Sequence, residues 1–254
     1  MSAIVQHPHT HNDPHWDVRV DLAAVFRWSV KMNWHEAVAN HFSAAVNEDG
    51  TQFLMNRDQI HFSRVTASNL LLLDANDPQT MELPDAPDPT AWGLHAAIHR
   101  NCPHARVALH VHSKYSTVLA CLADSSMPAI DQNTAMFHDR VVIDGDFGGL
   151  AFEEEGERCS QLFSDPKKIV MIMGNHGVLV IGQTVAEAFN RLYYFERAAE
   201  TLITAYMTQK PLRVIPDDIA AQVADDLESY PGHAERHMSE IKLLLDRDEP
   251  DYAT

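Results

Sequence analysis

The sequence of 254 residues predicts a large α/β domain, although its length alone would also allow two smaller domains. Three observations support the α/β class. The composition, 45% hydrophobic and 22% charged, suits a well-filled core. Fully apolar runs of strand length occur at several places, and longer segments carry apolar residues at helical spacing. A central sheet covered by helices accommodates both kinds of segment.

The first third of the chain predicts one helix followed by three strands. Apolar residues recur at helical spacing from Val18 to about Asn33, which predicts a helix against a sheet face. Short strands over 41–47 and 52–56 flank Glu48-Asp49-Gly50, whose Asp-Gly pair is a strong hairpin signal. The run of four leucines over 70–73 predicts a strand buried on both faces.

The remainder of the chain predicts further strands and helices in alternation. Thr90 is the predicted N-cap of the next helix, and Pro103 follows its end. The predicted elements, in order, are a loop over 74–89, a helix over 91–101, a strand over 107–112, a helix over 115–122, a strand over 141–143, a flexible segment over 144–149, a helix over 153–163, strands over 168–173 and 178–182, a helix over 185–207, and two helices within 216–246 interrupted at 229–232.

Two histidines lie inside the apolar run Val107-Ala108-Leu109-His110-Val111-His112-Ser113. Because side chains alternate along a strand, His110 and His112 share one face and can bind a metal ion together. A third histidine, His176, sits between glycines where the apolar run over 168–173 breaks and then resumes. Three neutral imidazoles with one position left open are typical of catalytic divalent-metal sites, zinc above all, with manganese, iron or cobalt as alternatives.

Other interpretations of these histidines remain open. His110 and His112 could be core residues with satisfied hydrogen bonds, and His176 could simply occupy a tight turn. His95 and His99 are four residues apart, a spacing that zinc enzymes also use, but supporting or packing roles are favoured because a better ligand set exists. The N-terminal tract 1–16 is rich in histidine and proline and predicts a mobile or loosely docked segment that binds metal only adventitiously.

Several segments resemble those of the class II aldolase/adducin family, over about residues 17–210. The stretches that carry the resemblance are Asp21–Trp28, Asn40-His41-Phe42-Ser43, Ala108–Ala120, Gly174–Gly182 and Thr184–Phe189. The resemblance implies a three-layer α/β/α sandwich with a mixed central sheet. It also implies a divalent metal held by His110, His112 and His176, and substrate contacts from Asn40 and Ser43.

The sequence departs from the family's aldolases at two places. Sugar-phosphate aldolases of the family carry a catalytic acid in a Ser-Ser-Glu segment, where this chain has Thr90-Ala91-Trp92. The phosphate loop, Thr-x-Ser-Gly in those enzymes, is replaced by Asn56-Arg57-Asp58-Gln59. Arg57 could bind a substrate carboxylate through its planar guanidinium, or it could be an ordinary surface arginine at a hairpin end.

Two classes of function follow from the resemblance. The first is a metal-dependent lyase, aldolase-like or decarboxylating, which acts on a non-phosphorylated oxo- or hydroxy-acid. In that case Tyr115 or water returns a proton to the product. The second is a non-catalytic protein-binding role like that of the adducins, which associate with the cytoskeleton. The resemblance also implies a homo-oligomer, most simply a tetramer, with the C-terminal helical extension 211–254 as an assembly candidate. The acidic composition of 247–254 separately predicts a frayed end.

The composition excludes several other classes. A formal net charge of -17 argues against binding to nucleic acids or to anionic membranes. No apolar run approaches the roughly 20 residues that span a bilayer, and the N-terminus lacks the apolar segment of a signal peptide. A soluble cytoplasmic protein is therefore expected. Cys102, Cys121 and Cys159 show no CxxC spacing and predict neither disulfides nor a thiolate zinc site.

Overall fold

The computed structural model describes residues 13–77, 79–146 and 153–254. Within these residues, seven strands form one sheet in the order β3-β2-β1-β4-β7-β6-β5. Strands β5 and β6 are parallel, and every other neighbouring pair is antiparallel, so the sheet is mixed. The strands are β1 (His41–Ala45), β2 (Gln52–Met55), β3 (Leu71–Asp74), β4 (Val107–Val111), β5 (Val141–Asp144), β6 (Val170–Met173) and β7 (Gly177–Gly182).

Helices connect and cover the strands in the described part of the chain. They are α1 (Trp16–Lys31), α2 (Pro89–Asn101), α3 (Lys114–Ala120), α4 (Gln132–Ala135), α5 (Glu153–Leu162), α6 (Val185–Met207), α7 (Asp217–Glu228) and α8 (His233–Asp248). The N-cap of α2 is Asp88 rather than the predicted Thr90, because the Asp88 carboxylate accepts from the amides of Thr90 and Ala91. The short helix α4 has no counterpart among the sequence predictions.

Alternation along the strands divides the core between the two faces of the sheet. Leu109 and Val180 point to one face, where they join a cluster with residues of α1, α3, α6 and α8. Ala108 and Leu179 point to the other face, where they pack with residues of α2 and α5. Helices therefore cover both faces, and the predicted three-layer α/β/α sandwich with a mixed central sheet is confirmed.

The edge strand β3 corrects one prediction. Leu71 and Leu73 are buried toward α2, whereas Leu72 points to the opposite face and is 50% exposed. The expectation that this strand is buried on both faces is wrong, because the helices on that face do not cover Leu72. An apolar run alone does not distinguish an edge strand from a central one.

The C-terminal end corrects a second prediction. Pro250–Ala253 form a short 3-10 helix against α1, and Tyr252 is fully buried. The Arg27 guanidinium of α1 lies 3.3 Å from Glu249 Oε2 and 2.7 Å from Asp251 Oδ2. Helix α8 also buries residues in the core cluster that contains α1 and α6. The end of the chain is therefore docked rather than frayed.

The N-terminal tract is described only in part. Residues 1–12, which carry most of its histidines, lie outside the described residues, as do 147–149 of the predicted flexible segment. Asp13 Oδ2 accepts from Arg19 Nε at 2.6 Å, and α1 begins at Trp16. The three cysteines are free thiols. In the described ranges, no helix combines the length and the apolar character needed to cross a bilayer.

Replacing Tyr252 with alanine should lower the free energy of unfolding by about 3 kcal/mol, in line with other large-to-small aromatic substitutions in cores. The side chain is fully buried, and its hydroxyl donates to Asp246 Oδ1 at 2.8 Å. Urea denaturation measures the change, with Tyr206→Ala as the matched control because Tyr206 is 40% exposed. Equal effects of the two substitutions would contradict docking of the C-terminus.

Candidate metal centre

His110 and His112 lie at the end of β4, between β1 and β7. His110 faces the α2 side of the sheet and is 1% exposed, whereas His112 follows the last strand residue and is half-buried. Their Nε2 atoms are 3.0 Å apart. The two imidazoles therefore present ring nitrogens to the same point, as the alternation within the strand predicts.

The turn between β6 and β7 brings His176 to the same point. Asn175 adopts the left-handed conformation with φ of 56°, which reverses the chain. The His176 ring centroid lies 4.9 Å from that of His110 and 4.8 Å from that of His112. A Cβ added to Gly177 would lie 2.6 Å from Val111 O and 2.7 Å from His112 Cδ2, so only glycine permits this close approach.

The three histidines satisfy the geometric requirement for a shared ligand. One ring nitrogen from each lies within 4.8 Å of the others. Among the residues that the structure describes, no other group of three or more histidine, cysteine or acidic side chains meets this criterion. The structure therefore brings together the three residues that the sequence predicts, and their chemistry fits a divalent metal ion.

An acceptor lies near the Nδ1 atom of each imidazole. His110 Nδ1 is 3.1 Å from Val178 O, His112 Nδ1 is 3.6 Å from Glu36 Oε2, and His176 Nδ1 is 3.9 Å from Glu155 Oε1. The Val178 carbonyl favours a proton on His110 Nδ1, and the Glu36 carboxylate favours one on His112 Nδ1, which leaves their Nε2 lone pairs for a metal ion. Glu155 is too distant to fix the tautomer of His176. His110 and His112 direct their Nε2 atoms toward one another in this way.

Burial favours the neutral form of all three imidazoles. It lowers the pKa of His110 well below the ordinary value, and it lowers the pKa of His176 to about 4. Burial also lowers the pKa of His112, although the Glu36 carboxylate opposes that change. Neutral imidazole is the form that binds metals, so at pH 7 the three side chains need not lose a proton first.

Asn40 supplies an unused donor beside the histidines. Its Oδ1 accepts from the Glu36 amide at 2.7 Å and lies 3.5 Å from the His112 amide. Asn40 is 1% exposed, and its Nδ2 has no hydrogen-bond partner among the described residues. Because an unpaired buried donor is costly, this amide is well placed to bind a ligand group.

The other two predicted substrate contacts occupy different environments. Ser43 is fully buried, and its hydroxyl lies between His95 Nδ1 at 2.5 Å and His99 Nε2 at 2.7 Å. This placement does not fit direct contact with a substrate, because both imidazoles enclose the hydroxyl. Arg57 is half exposed, donates to Asn69 O at 3.1 Å and lies 3.6 Å from Asp85. Its guanidinium is thus held by surface groups of the same chain.

Tyr115 lies in the first turn of α3, three residues after His112. Its amide donates to Glu196 Oε1 at 2.9 Å, and no hydrogen bond joins its hydroxyl to a described residue. The same Glu196 carboxylate accepts from the hydroxyls of Ser113 and Ser116 and from the Ser116 amide. A buried carboxylate on α6 therefore fixes the segment that follows His112, whereas the role of the Tyr115 hydroxyl stays a prediction.

Sequence reasoning missed three carboxylates at this centre. Glu36 and Glu155 lie near two of the imidazoles, and Glu196 holds the start of α3. Glu155 belongs to the acidic run at the start of α5, which the sequence predicts only as a helix, and burial raises its pKa. Ala91, at the position of the absent aldolase acid, is buried in the first turn of α2.

The chain is similar to known proteins over most of its length. Residues 20–203 match the Class II Aldolase and Adducin N-terminal domain. The crystal structure of an aldolase II superfamily protein from Pseudomonas syringae shows a TM-score of 0.84 at 29% identity, covering 96% of this chain and 98% of that one. L-fuculose 1-phosphate aldolase from Glaciozyma antarctica shows 0.78 at 20% identity, covering 97% and 96%. Alpha-adducin of Rattus norvegicus is 27% identical over 191 residues, which are 72% of this chain but 25% of the adducin.

Proposed function

Because this chain belongs to the class II aldolase and adducin family, we propose that it is a divalent-metal-dependent lyase acting on a non-phosphorylated oxo- or hydroxy-acid. The observation that carries the proposal is the convergence of His110, His112 and His176 at the end of β4. Acceptors near Nδ1 of His110 and His112 favour the tautomer that a metal ion requires. A protein that served only as a binding module would not need this arrangement.

The three histidines would hold the cation, and ligand type favours zinc, with manganese, iron or cobalt as alternatives. A divalent ion there supplies Lewis-acid polarisation of a substrate oxygen. The side chains around it have separate tasks. The Asn40 amide, through its unpaired Nδ2, donates a hydrogen bond to a substrate carboxylate or oxo group. The neighbouring Glu36 carboxylate orients the His112 ring, and the Glu155 carboxylate adds negative charge beside His176.

The substrate class rests on which groups the chain lacks. Aldol cleavage of a sugar phosphate needs a proton carrier and a phosphate grip, and Ala91 supplies no proton. Loss of carbon dioxide from a 3-oxo-acid needs less, because the electron pair of the broken bond between carbons 1 and 2 moves toward the 3-oxo group and gives an enolate. The enolate carbon then takes up one proton, for which we propose the Tyr115 hydroxyl.

The test is a substrate panel with protein loaded with zinc or manganese. Keto acids and aromatic hydroxy-acids should be turned over faster than fuculose- and ribulose-type phosphates. Asn40→Ala should reduce turnover of the accepted acid by about 10- to 100-fold, the effect of losing one hydrogen bond to a charged group. Faster cleavage of the sugar phosphates would contradict the proposed substrate class.

We also propose that the chain forms a homo-oligomer, most simply a tetramer. The family resemblance implies an oligomer, and several apolar side chains of the C-terminal third are exposed. Examples are Met207 at 75%, Val214 at 54% and Ile219 at 47%. Light scattering at micromolar concentration should report a mass near four times 28.5 kDa. A monomer under these conditions would contradict the proposal.

A second candidate function is an adducin-like protein-binding role. The 27% identity to alpha-adducin supports it, because the matched segment spans most of this chain. A binding role does not require a stoichiometric metal ion. Protein that retains no divalent ion and turns over neither set of substrates would therefore favour this function over the lyase.

A further inference from the structure

Four side chains form a hydrogen-bonded chain between the sheet and α2. His41 and Ser43 come from β1, and His95 and His99 come from one face of α2. His41 Nδ1 lies 2.8 Å from His95 Nε2, His95 Nδ1 lies 2.5 Å from Ser43 Oγ, and Ser43 Oγ lies 2.7 Å from His99 Nε2. Alternation along β1 and the four-residue spacing in α2 produce this juxtaposition.

The two ends of the chain differ in their surroundings. The His41 ring stacks on the ring of His110 with centroids 4.8 Å apart and an interplanar angle of 24°. His41 also pairs with His110 across β1 and β4, so this end adjoins the metal centre. The other end is closed, because His99 stacks on Phe53 at 4.3 Å and its Nδ1 has no hydrogen-bond partner among the described residues.

All three imidazoles of the chain are neutral at pH 7. His95 is fully buried, His99 is 2% exposed and His41 is 6% exposed. Burial lowers the pKa of His99 to about 3 and lowers that of His95 well below the ordinary value. His41 is equally enclosed, and its hydrogen-bond partner among the described residues is the neutral His95 ring at 2.8 Å. A neutral imidazole carries one N–H and one lone pair, so each ring donates through one nitrogen and accepts through the other.

Ser43 Oγ–H must donate within the chain, because accepting from both rings would leave this buried hydroxyl proton without an acceptor among the described residues. Two arrangements of the protons then remain. In the first, the three rings carry hydrogen on Nδ1, and donation runs from His41 through His95 and Ser43 to His99. In the second, the three rings carry hydrogen on Nε2, and donation runs in the opposite direction. The first arrangement leaves the buried Nδ1–H of His99 unpaired, whereas the second leaves only a lone pair there. Unpaired buried N–H groups are the rarer and costlier case, so the second arrangement is favoured.

We propose that this buried chain fixes His41 as an Nε2–H donor, and that His41 binds the carboxylate of the substrate beside the metal centre. The second clause rests on the proposed function, because it assumes a carboxylated ligand there. No described residue accepts a hydrogen bond from His41 Nε2, so the group is available to a ligand. Ser43 and His95 then act as positioning residues, which set the His41 tautomer without touching the substrate.

The tautomers can be measured directly by long-range proton–nitrogen NMR on full-length, metal-loaded protein labelled with ¹⁵N-histidine. Signals are assigned by their loss in single His41, His95 and His99 variants. All three rings should show the Nε2–H pattern, and Ser43→Ala should convert His41 to a mixture of tautomers. An Nδ1–H pattern for His41, or a His41 signal unchanged by Ser43→Ala, would overturn the proposed chain.

Carboxylate binding by His41 is tested with oxalate. The affinity for oxalate is followed through the visible spectrum of cobalt-loaded protein. His41→Phe retains a ring against His110 but removes the donor, and it should raise the oxalate Kd about tenfold while metal stoichiometry stays constant. The matched control is His61→Phe, since His61 forms a separate pair with His35 through Nε2 atoms 3.0 Å apart. Equal oxalate affinity in His41→Phe and wild type would overturn the proposal that His41 binds the carboxylate.

Neither readout depends on turnover, which separates this inference from the proposed function. Wild-type protein that binds oxalate and shows the Nε2–H pattern, yet turns over no acid in the panel, would contradict the lyase and leave the role of His41 standing. Turnover of keto acids together with an Nδ1–H pattern at His41 would support the lyase and overturn the proposed role of His41.

Discussion

A variant with alanine at His110, His112 and His176 should lose its divalent metal, falling from about one ion per chain to about a tenth or less. The wild-type imidazoles are neutral, lie together and have acceptors near their Nδ1 atoms, so they need little rearrangement to bind an ion. Alanine provides no ligand atom. Elemental analysis after dialysis against metal-free buffer measures the stoichiometry, and His112→Ala alone should weaken binding by at least about 100-fold.

The design of this experiment must separate the centre from the other histidines. The N-terminal tract contains His7, His9 and His11, and it can bind metal without a defined geometry. Deleting residues 1–12 removes these side chains but keeps the Asp13–Arg19 contact and the start of α1. In this shortened protein, His61→Ala is the control and should keep its metal. A triple variant with the wild-type stoichiometry would mean that the metal binds elsewhere.

The centre could be anticipated from sequence because local rules determine its parts. Two-residue alternation in a strand puts His110 and His112 on one face. Glycines beside His176 indicate a sharp turn between two apolar runs, and the structure places that turn between β6 and β7. Antiparallel pairing of β4 with β7 then brings the turn to the end of β4, but this register is a tertiary feature that the sequence supplied only through the family resemblance.

Features that depend on packing between distant segments were missed or predicted wrongly. Leu72 has the same apolar neighbours as Leu71 and Leu73, and only the position of β3 at the sheet edge exposes it. The acidic end of the chain suggested fraying, yet Asp251 and Glu249 meet Arg27 more than 200 residues away. His95 and His99 matched a zinc-enzyme spacing, but their partners are Ser43 and His41 of β1.

The partners of Glu196 could not be predicted from the sequence either, because a position in a helical repeat does not show which residues the side chain contacts. It projects from α6 and is 6% exposed. One oxygen accepts from the Tyr115 amide, and the other accepts from the Ser113 hydroxyl at 2.7 Å and from both the amide and the hydroxyl of Ser116. Ser113 does not cap α3 with its own side chain, so the carboxylate from α6 accepts from the amides of the first turn instead.

Replacing Glu196 with alanine should therefore lower the free energy of unfolding by about 4 kcal/mol, because four buried hydrogen-bond donors lose a charged acceptor. The start of α3 follows His112 directly, so metal affinity should fall as well. Glu196→Gln should lower the free energy of unfolding less, because an amide oxygen can still accept some of these hydrogen bonds.

The matched control is Glu200→Ala, one turn further along α6, where an exposed pair with Arg197 contributes roughly 0–1 kcal/mol. Urea denaturation of the three variants, followed by metal titration of those that remain folded, measures both effects. If Glu196→Ala were no more destabilising than Glu200→Ala, the carboxylate would not be what anchors α3 beside the metal-binding histidines.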